Sequence, residues 1–220
     1  MSLIYQNIGL DLDGVLTEHS KFQLEKGIPY FCHKYNLTRD KVIKDIRGMD
    51  IEEIFGCTHQ ERFLFWAKYI WEYCTITKPR NGAKEVTQKW LAEGRNIFII
   101  TGRKEREEFF LVSKMLMLLT KYWLNHQNIG YSEIVFCSNS SSEIEKKAIC
   151  QKLNIEIMAE DRINVLNSLQ ETCDIVCFEN MYNMGLNDKI PNFKTFYEMD
   201  EYIREIEKKK NILQKTKKLL

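Results

Sequence analysis

Five short runs rich in β-branched and apolar residues, Asn7–Leu12, Asn96–Thr101, Glu133–Cys137, Ile155–Ala159 and Asp174–Phe178, are spread along a chain of 220 residues. Each is of strand length, and the segments between the later ones, Glu105–Gln127, Ser142–Leu153 and Arg162–Thr172, read as helices. Parallel strands need crossover connections of about a dozen residues, usually helical, so this alternation predicts an α/β fold. The expected architecture is a Rossmann-like parallel sheet flanked by helices. A further helix over Pro79–Gly94, ended by its glycine, leads the chain into the second strand.

The interval between Thr17 and Pro79 breaks the alternation, with almost no strand-like run and several helical ones. It reads as a small helical cap inserted after the first strand. The division expected is a core of residues 1–17 and 79–198, a cap of residues 18–78, and a C-terminal helix over 199–220. In that last helix Ile206, Leu213 and Leu220 recur every seven residues, too few repeats for a coiled coil.

Composition narrows the partners. Lys plus Arg number 32 against 31 Asp plus Glu, a formal charge of +1, so no broad basic field draws the chain to nucleic acid. Seven cysteines without a CxxC pair argue against a zinc site or a disulfide framework. With no signal-peptide pattern at the N-terminus, they predict a reducing, cytoplasmic location. The greasiest stretch, Phe109–Leu119, contains Ser113 and Lys114 and is about half of what a bilayer requires, so no membrane span is expected. Monomer and homodimer are both compatible with the sequence.

Chemistry concentrates at the strand ends. The first strand runs into Asp11-Leu12-Asp13-Gly14-Val15-Leu16-Thr17, two carboxylates at the crevice where open α/β sheets bind ligands, with a glycine to turn the chain. A calcium loop would carry Glu at its twelfth position; here that position is Phe22. The second strand ends in Thr101-Gly102-Arg103, a hydroxyl and an unobstructed N–H suited to phosphate oxygens. In Ser142–Leu153, Lys146 shares a helix face with Ile149, Cys150 and Leu153, whereas Lys147 points away from it. The fourth strand ends in Glu160-Asp161, and Asp161 alone could be a helix cap. Taken in order, the set describes a site for Mg²⁺ and a phosphate group.

This ordered set resembles the haloacid dehalogenase superfamily of phosphotransferases and phosphatases, over segments 7–17 and 96–183. The resemblance implies Asp11 as nucleophile and Asp13 as acid and base, with Thr101, Gly102 and Lys146 holding phosphate. It implies Mg²⁺ held by Asp11, Asp161 and the backbone carbonyl of Asp13. Looser matches at Thr120-Lys-Tyr-Trp123-Leu124, Ile129-Gly-Tyr131, Glu160-Asp161-Arg162 and Cys177–Asn183 are similar to the cytosolic 5′(3′)-deoxyribonucleotidase family and its bacterial relatives. The implied activity is phosphomonoester hydrolysis through an aspartyl phosphate, nucleotidase-like. A sugar-phosphate phosphatase or phosphomutase shares the same core, and a non-catalytic phosphate-binding protein would not need Asp13.

Substrate choice is expected in the cap. Phe63, Phe65, Trp66, Tyr69, Trp71 and Tyr73 crowd one helical stretch, and a ring among them, Phe63 or Trp66 first, could stack on a nucleobase. The alternative use of these rings is as the cap's own core. The expected partner is a small phosphate ester, either a nucleotide or a sugar phosphate.

Overall fold

The computed structural model describes residues 3–44, 50–104, 110–138, 141–185 and 189–217. Strand β1 (Asn7–Leu10) is followed by four helices, α1 (His19–Tyr35), α2 (Arg39–Lys44), α3 (Ile51–Phe55) and α4 (His59–Ile76). Helix α5 (Ala83–Ala92) then leads to β2 (Asn96–Lys104). Beyond it come α6 (Phe110–His126), β3 (Glu133–Ser138), α7 (Ser142–Lys152), β4 (Ile157–Glu160), α8 (Ile163–Leu169), β5 (Asp174–Phe178), β6 (Asn192–Phe193) and α9 (Phe196–Lys217).

The six strands form one sheet in the order β3-β2-β1-β4-β5-β6, every neighbouring pair parallel. The expected Rossmann-like α/β architecture is therefore present. The chain builds outward from β1 through β2 to β3 and returns to the other side at β4, so the order reverses between β1 and β4. Ligands of open α/β sheets bind at the carboxyl ends of the strands at such a switch point.

Central strands buried on both faces require nearly continuous apolar sequence. Ile8, Leu10, Ile97, Ile99, Ile157 and Ala159 pack on one face with Trp90, Trp123, Phe178 and Phe196. On the other face, Ile100 and Met158 meet Cys150, Val165 and Leu169 from α7 and α8. The inserted helices carry a core of their own, in which Phe31 lies between Phe55 and Phe65 with ring centroids 5.1 and 5.6 Å away. Phe22, Tyr73 and Cys74 pack against Leu116 and Leu119 of α6 and tie the insertion to the sheet layer.

Some boundaries differ from the sequence reading for local reasons. Strand β4 starts two residues later than expected, because Asn154 takes a left-handed conformation (φ 50°) and the Ile155 N–H closes helix α7 on Cys150. Strand β2 runs on past Thr101 to Lys104. The two-residue β6 follows Pro191 and carries no periodicity that the sequence could display. Residues 105–109 of the expected Glu105–Gln127 helix lie outside the described residues. The C-terminal helix starts at Phe196 and docks through Phe196, Met199 and Ile203, earlier in the chain than the predicted seven-residue stripe. Of that stripe Ile206 is half-buried; Leu220 and the Leu213 side chain lie outside the described residues. Arg95, fully buried, clamps the helix by donating to both Glu207 carboxylate oxygens (2.9 and 3.0 Å) and to the Tyr5 carbonyl (2.8 Å). All seven cysteines are free. Among the described residues no helix is long and apolar enough to cross a membrane.

Candidate active site

The floor of the crevice begins where β1 ends. The Asp11 N–H still donates to the Ala159 carbonyl (3.0 Å), so the ladder to β4 carries Asp11 to the strand end. The chain then turns at Gly14 (φ +90°), and a Cβ there would sit 1.6 Å from Asp161 Oδ2, so no other residue fits. Buried Arg80 pins this turn from below, donating to the carbonyls of Gly14 (2.7 Å) and Val15 (3.0 Å) and to Asn180 Oδ1 (3.1 Å). Asn180 in turn donates to the Gly14 carbonyl (2.8 Å) and Asp161 Oδ2 (3.3 Å), and the Tyr182 hydroxyl donates to the same oxygen.

Lys146 reaches in from α7, 2% exposed, with Nζ 2.6 Å from Asp11 Oδ1 and a second bond to Glu160 Oε2. Lys147 stays half-buried at the helix surface. Glu160 also accepts from the N–H groups of Asp161 (3.1 Å) and Arg162 (3.2 Å), and is thereby fixed as the counter-ion of Lys146. The register pairing Leu10 with Ile99 sets Thr101 and Gly102 beside the Asp11–Asp13 turn. Thr101 is buried and its hydroxyl has no partner; Asp161 Oδ1 is likewise buried and unpaired.

Asp11, Glu160 and Asp161 each offer a carboxylate oxygen within 4.8 Å of the others. Burial and the neighbouring Glu160 push Asp11 up to about 7, against the pull of Lys146. Burial, Glu160 and Asp11 hold Asp161 well above the usual carboxylate range. Burial alone would raise Glu160 too, yet Lys146 outweighs it and keeps that group low. Three carboxylates sharing one lysine are short of positive charge, and the orphaned Asp161 oxygen is a hard donor with nothing to bind. A divalent cation with oxygen ligands fits both facts.

Asp13 lives in different surroundings. Arg103 grips it with two bonds, Nε to Oδ2 (2.8 Å) and Nη2 to Oδ1 (2.6 Å), and the Tyr73 hydroxyl from α4 donates to Oδ1. Tyr73 also shares a hydrogen bond with Thr17 Oγ1 (2.7 Å). Desolvation works to raise Asp13, but Arg103 and Tyr73 outweigh it and hold the carboxyl well below its usual range. The sequence reading set Asp13 beside the metal through its backbone carbonyl alone, and the side chain turned to Arg103 is compatible with that role. Glu160, which the reading did not count as a ligand, is the third acid of the cluster.

Sequence reasoning gave Arg103, Arg80 and Asn180 no role at the site, counted Tyr73 only among the rings of the inserted helices, and took Glu160 only as half of an acidic pair. One signal was available: in a strand of period two, Arg103 shares the face of Thr101. The cap rings also divide. Phe63 on α4 is 69% exposed, whereas Phe65 is fully buried in the core of the inserted helices. Trp66 is half-buried and stacks on His19 (5.5 Å, 9°), 5.6 Å from Tyr73 and so towards Asp13.

No protein-family model matches the sequence, and no curated protein matches it. Solved structures do share its fold. A predicted phosphatase from Clostridium acetobutylicum is similar at TM-score 0.61 and 16% identity, covering 93% of this chain and 100% of its own. A predicted phosphoglycolate phosphatase from Haemophilus somnus 129PT is similar at 0.59 and 19%, covering 92% and 99%. A structure described as a haloacid dehalogenase-like hydrolase from Bacteroides fragilis gives 0.54 and 13%, covering 86% and 95%. The fold is thus the haloacid dehalogenase-like α/β fold.

Proposed function

We propose that the protein is a phosphomonoester hydrolase that works through an aspartyl phosphate on Asp11, with Mg²⁺ as its metal. The observation that carries this reading is the pair of buried, unpaired atoms at the strand ends, Thr101 Oγ1 and Asp161 Oδ1, on either side of the Asp11–Lys146 pair. They are a phosphate donor and a cation ligand, each lacking what it would bind.

Asp11 attacks phosphorus, and the bond to the ester oxygen breaks as the acyl phosphate bond forms. Asp13 supplies the proton to that oxygen, then takes one from the water that hydrolyses the intermediate. Thr101, the Gly102 N–H and Lys146 face the phosphoryl oxygens and balance their charge. Asp11 and Asp161, with the Asp13 backbone carbonyl by the family resemblance, would hold Mg²⁺, which offsets charge on the transferring group. The grip of Arg103 and Tyr73 keeps Asp13 ionised, the form that accepts a proton. Donation requires Asp13 first to leave that grip and take up a proton from solvent; the Arg103 half of the grip comes from β2 and the Tyr73 half from α4.

Two substrate classes follow. The resemblance to deoxyribonucleotidases favours nucleoside monophosphates. A sugar-phosphate phosphatase or phosphomutase is favoured by Trp66, which is already stacked on His19. One fold relative is described as a phosphoglycolate phosphatase, a small substrate without a base. The test is phosphate release from nucleoside monophosphates, sugar phosphates and phosphoglycolate with Mg²⁺. Release lost with EDTA and in Asp11→Asn is expected; no release from any ester rejects the assignment.

A further inference from the structure

Buried side-chain atoms without partners are not scattered evenly. Among the described residues, two are Thr101 Oγ1 and Asp161 Oδ1 at the strand ends, and two are the isolated hydroxyls of Thr77 and Thr172. The remaining four, His19 Nδ1, Ser20 Oγ and both amide atoms of Gln23, lie within five residues at the start of α1. Ser20 and Gln23 are 3% and 1% exposed. Buried polar groups are nearly always hydrogen-bonded, so a group of four left unpaired marks missing partners.

The location gives these atoms a purpose. The His19 ring packs against Tyr73 (5.1 Å) and Trp66 (5.5 Å), and the Tyr73 hydroxyl donates to Asp13. His19, at the head of α1, is therefore linked to Asp13 through Tyr73, from the side of the inserted helices. In the phosphomonoesterase reading, on which this inference rests, the ester oxygen lies at Asp13 and the rest of the leaving group lies beyond it.

We propose that His19, Ser20 and Gln23 form the pocket for the leaving group, and that it takes a neutral, hydroxyl-bearing carbon chain or ring, a polyol or sugar. A hydroxyl both donates and accepts, and so do the Gln23 amide and the Ser20 hydroxyl. Burial lowers the His19 pKa, offset only in part by Asp13, which leaves a neutral ring with one donor and one acceptor. Among the described residues, Arg103 is taken by Asp13 and Lys26 by Glu72, so neither is free for a second anionic group. Trp66 and Phe22 supply the apolar wall against which the C–H faces of such a group pack.

The test is a ratio: kcat/KM for the best sugar or polyol phosphate over that for p-nitrophenyl phosphate, in wild type, Gln23→Leu and Ser20→Ala. Loss of paired hydrogen bonds to substrate lowers the ratio about tenfold in Gln23→Leu, mainly through KM, and less in Ser20→Ala. Thermal unfolding separates the role from a structural one, because removing an unpaired buried amide leaves Tm unchanged or raises it. A ratio unchanged in both variants overturns the proposal. So does a wild-type enzyme that hydrolyses nucleoside monophosphates and p-nitrophenyl phosphate but no polyol or sugar phosphate, an outcome that leaves the phosphatase reading standing. Failure with every ester removes both.

Discussion

On the sheet side of the crevice, Lys146 binds Asp11 and Glu160, Glu160 binds two backbone N–H groups, and Arg80 and Asn180 hold the turn that carries Asp13. On the side of the inserted helices, Phe31, Phe55 and Phe65 pack a core, and four buried polar atoms of α1 are without hydrogen-bond partners. The first side is preorganised for one charge pattern, with side chains fixed by strand ends. The second is shaped by ring packing and has polar capacity to spare. Chemistry at phosphorus needs rigid charges, and recognition of an alkyl group needs shape plus a few exchangeable hydrogen bonds.

Two substitutions on the sheet side should break this contrast most severely. Asp11→Asn is expected to reduce phosphate release to background while circular dichroism stays native, since an amide neither attacks phosphorus nor binds a hard cation well; residual turnover near wild type would remove Asp11 from the mechanism. Lys146→Ala leaves buried Asp11, Glu160 and Asp161 without their cation, and breaking such a pair costs about 3–5 kcal/mol. Its Tm should fall sharply and activity should vanish, whereas Lys147→Ala, at the helix surface, should stay within about 0.5 kcal/mol of wild type by denaturant unfolding. Equal effects of the two lysines would show that α7 sits in another register.

A smaller effect comes from protons competing with the metal. Asp11 titrates at about 7 and Asp161 is raised as well, so without metal the folded protein holds protons that the unfolded chain has released. Metal-free stability should therefore decline as pH rises from about 4, the ordinary carboxyl range, to about 7. Mg²⁺ requires the ionised carboxylates, so its apparent affinity should fall by about tenfold per pH unit below 7 for each proton displaced. The Mg²⁺-induced rise in Tm should be larger at about pH 8 than at about pH 6. A shift independent of pH would place the ion away from Asp11 and Asp161.

The same contrast explains what could be read from sequence. Strand ends project their residues by a fixed geometry, so Asp11, Thr101 and Asp161 could be named from short motifs, and Lys146 from the apolar face of its helix. The partners of the Asp13 side chain could not be read, because Arg103 lies far off in sequence and Tyr73 comes from a different layer. Strand β6 is two residues long and was invisible to any pattern. In the insertion, amphipathic helices display only which residues are apolar. They do not say which ring faces the crevice, so Phe63 and Phe65, two residues apart, could not be told apart, although one is outside and the other is fully buried.

Phe63 supplies the mildest test, and it bears directly on the side of the crevice the sequence described least. At 69% exposure, it makes few contacts that a serine would lose. Phe63→Ser should change stability by no more than about 0.5 kcal/mol, as surface substitutions usually do. Its KM for nucleoside monophosphates should equal that of wild type, because the leaving group is assigned to the buried polar turn of α1 and not to an exposed ring. Trp66→Ala is the informative contrast: it removes a half-buried ring that supports His19, and should lower stability and raise KM for every substrate together. A base stacked on a ring contributes about 1–3 kcal/mol, so a rise in nucleotide KM of roughly 5- to 150-fold in Phe63→Ser, with p-nitrophenyl phosphate unaffected, would mean that α4 turns this face inward during turnover. The inserted helices would then recognise a base through the outer rings of α4, and the polar turn of α1 would lose its claim on the leaving group.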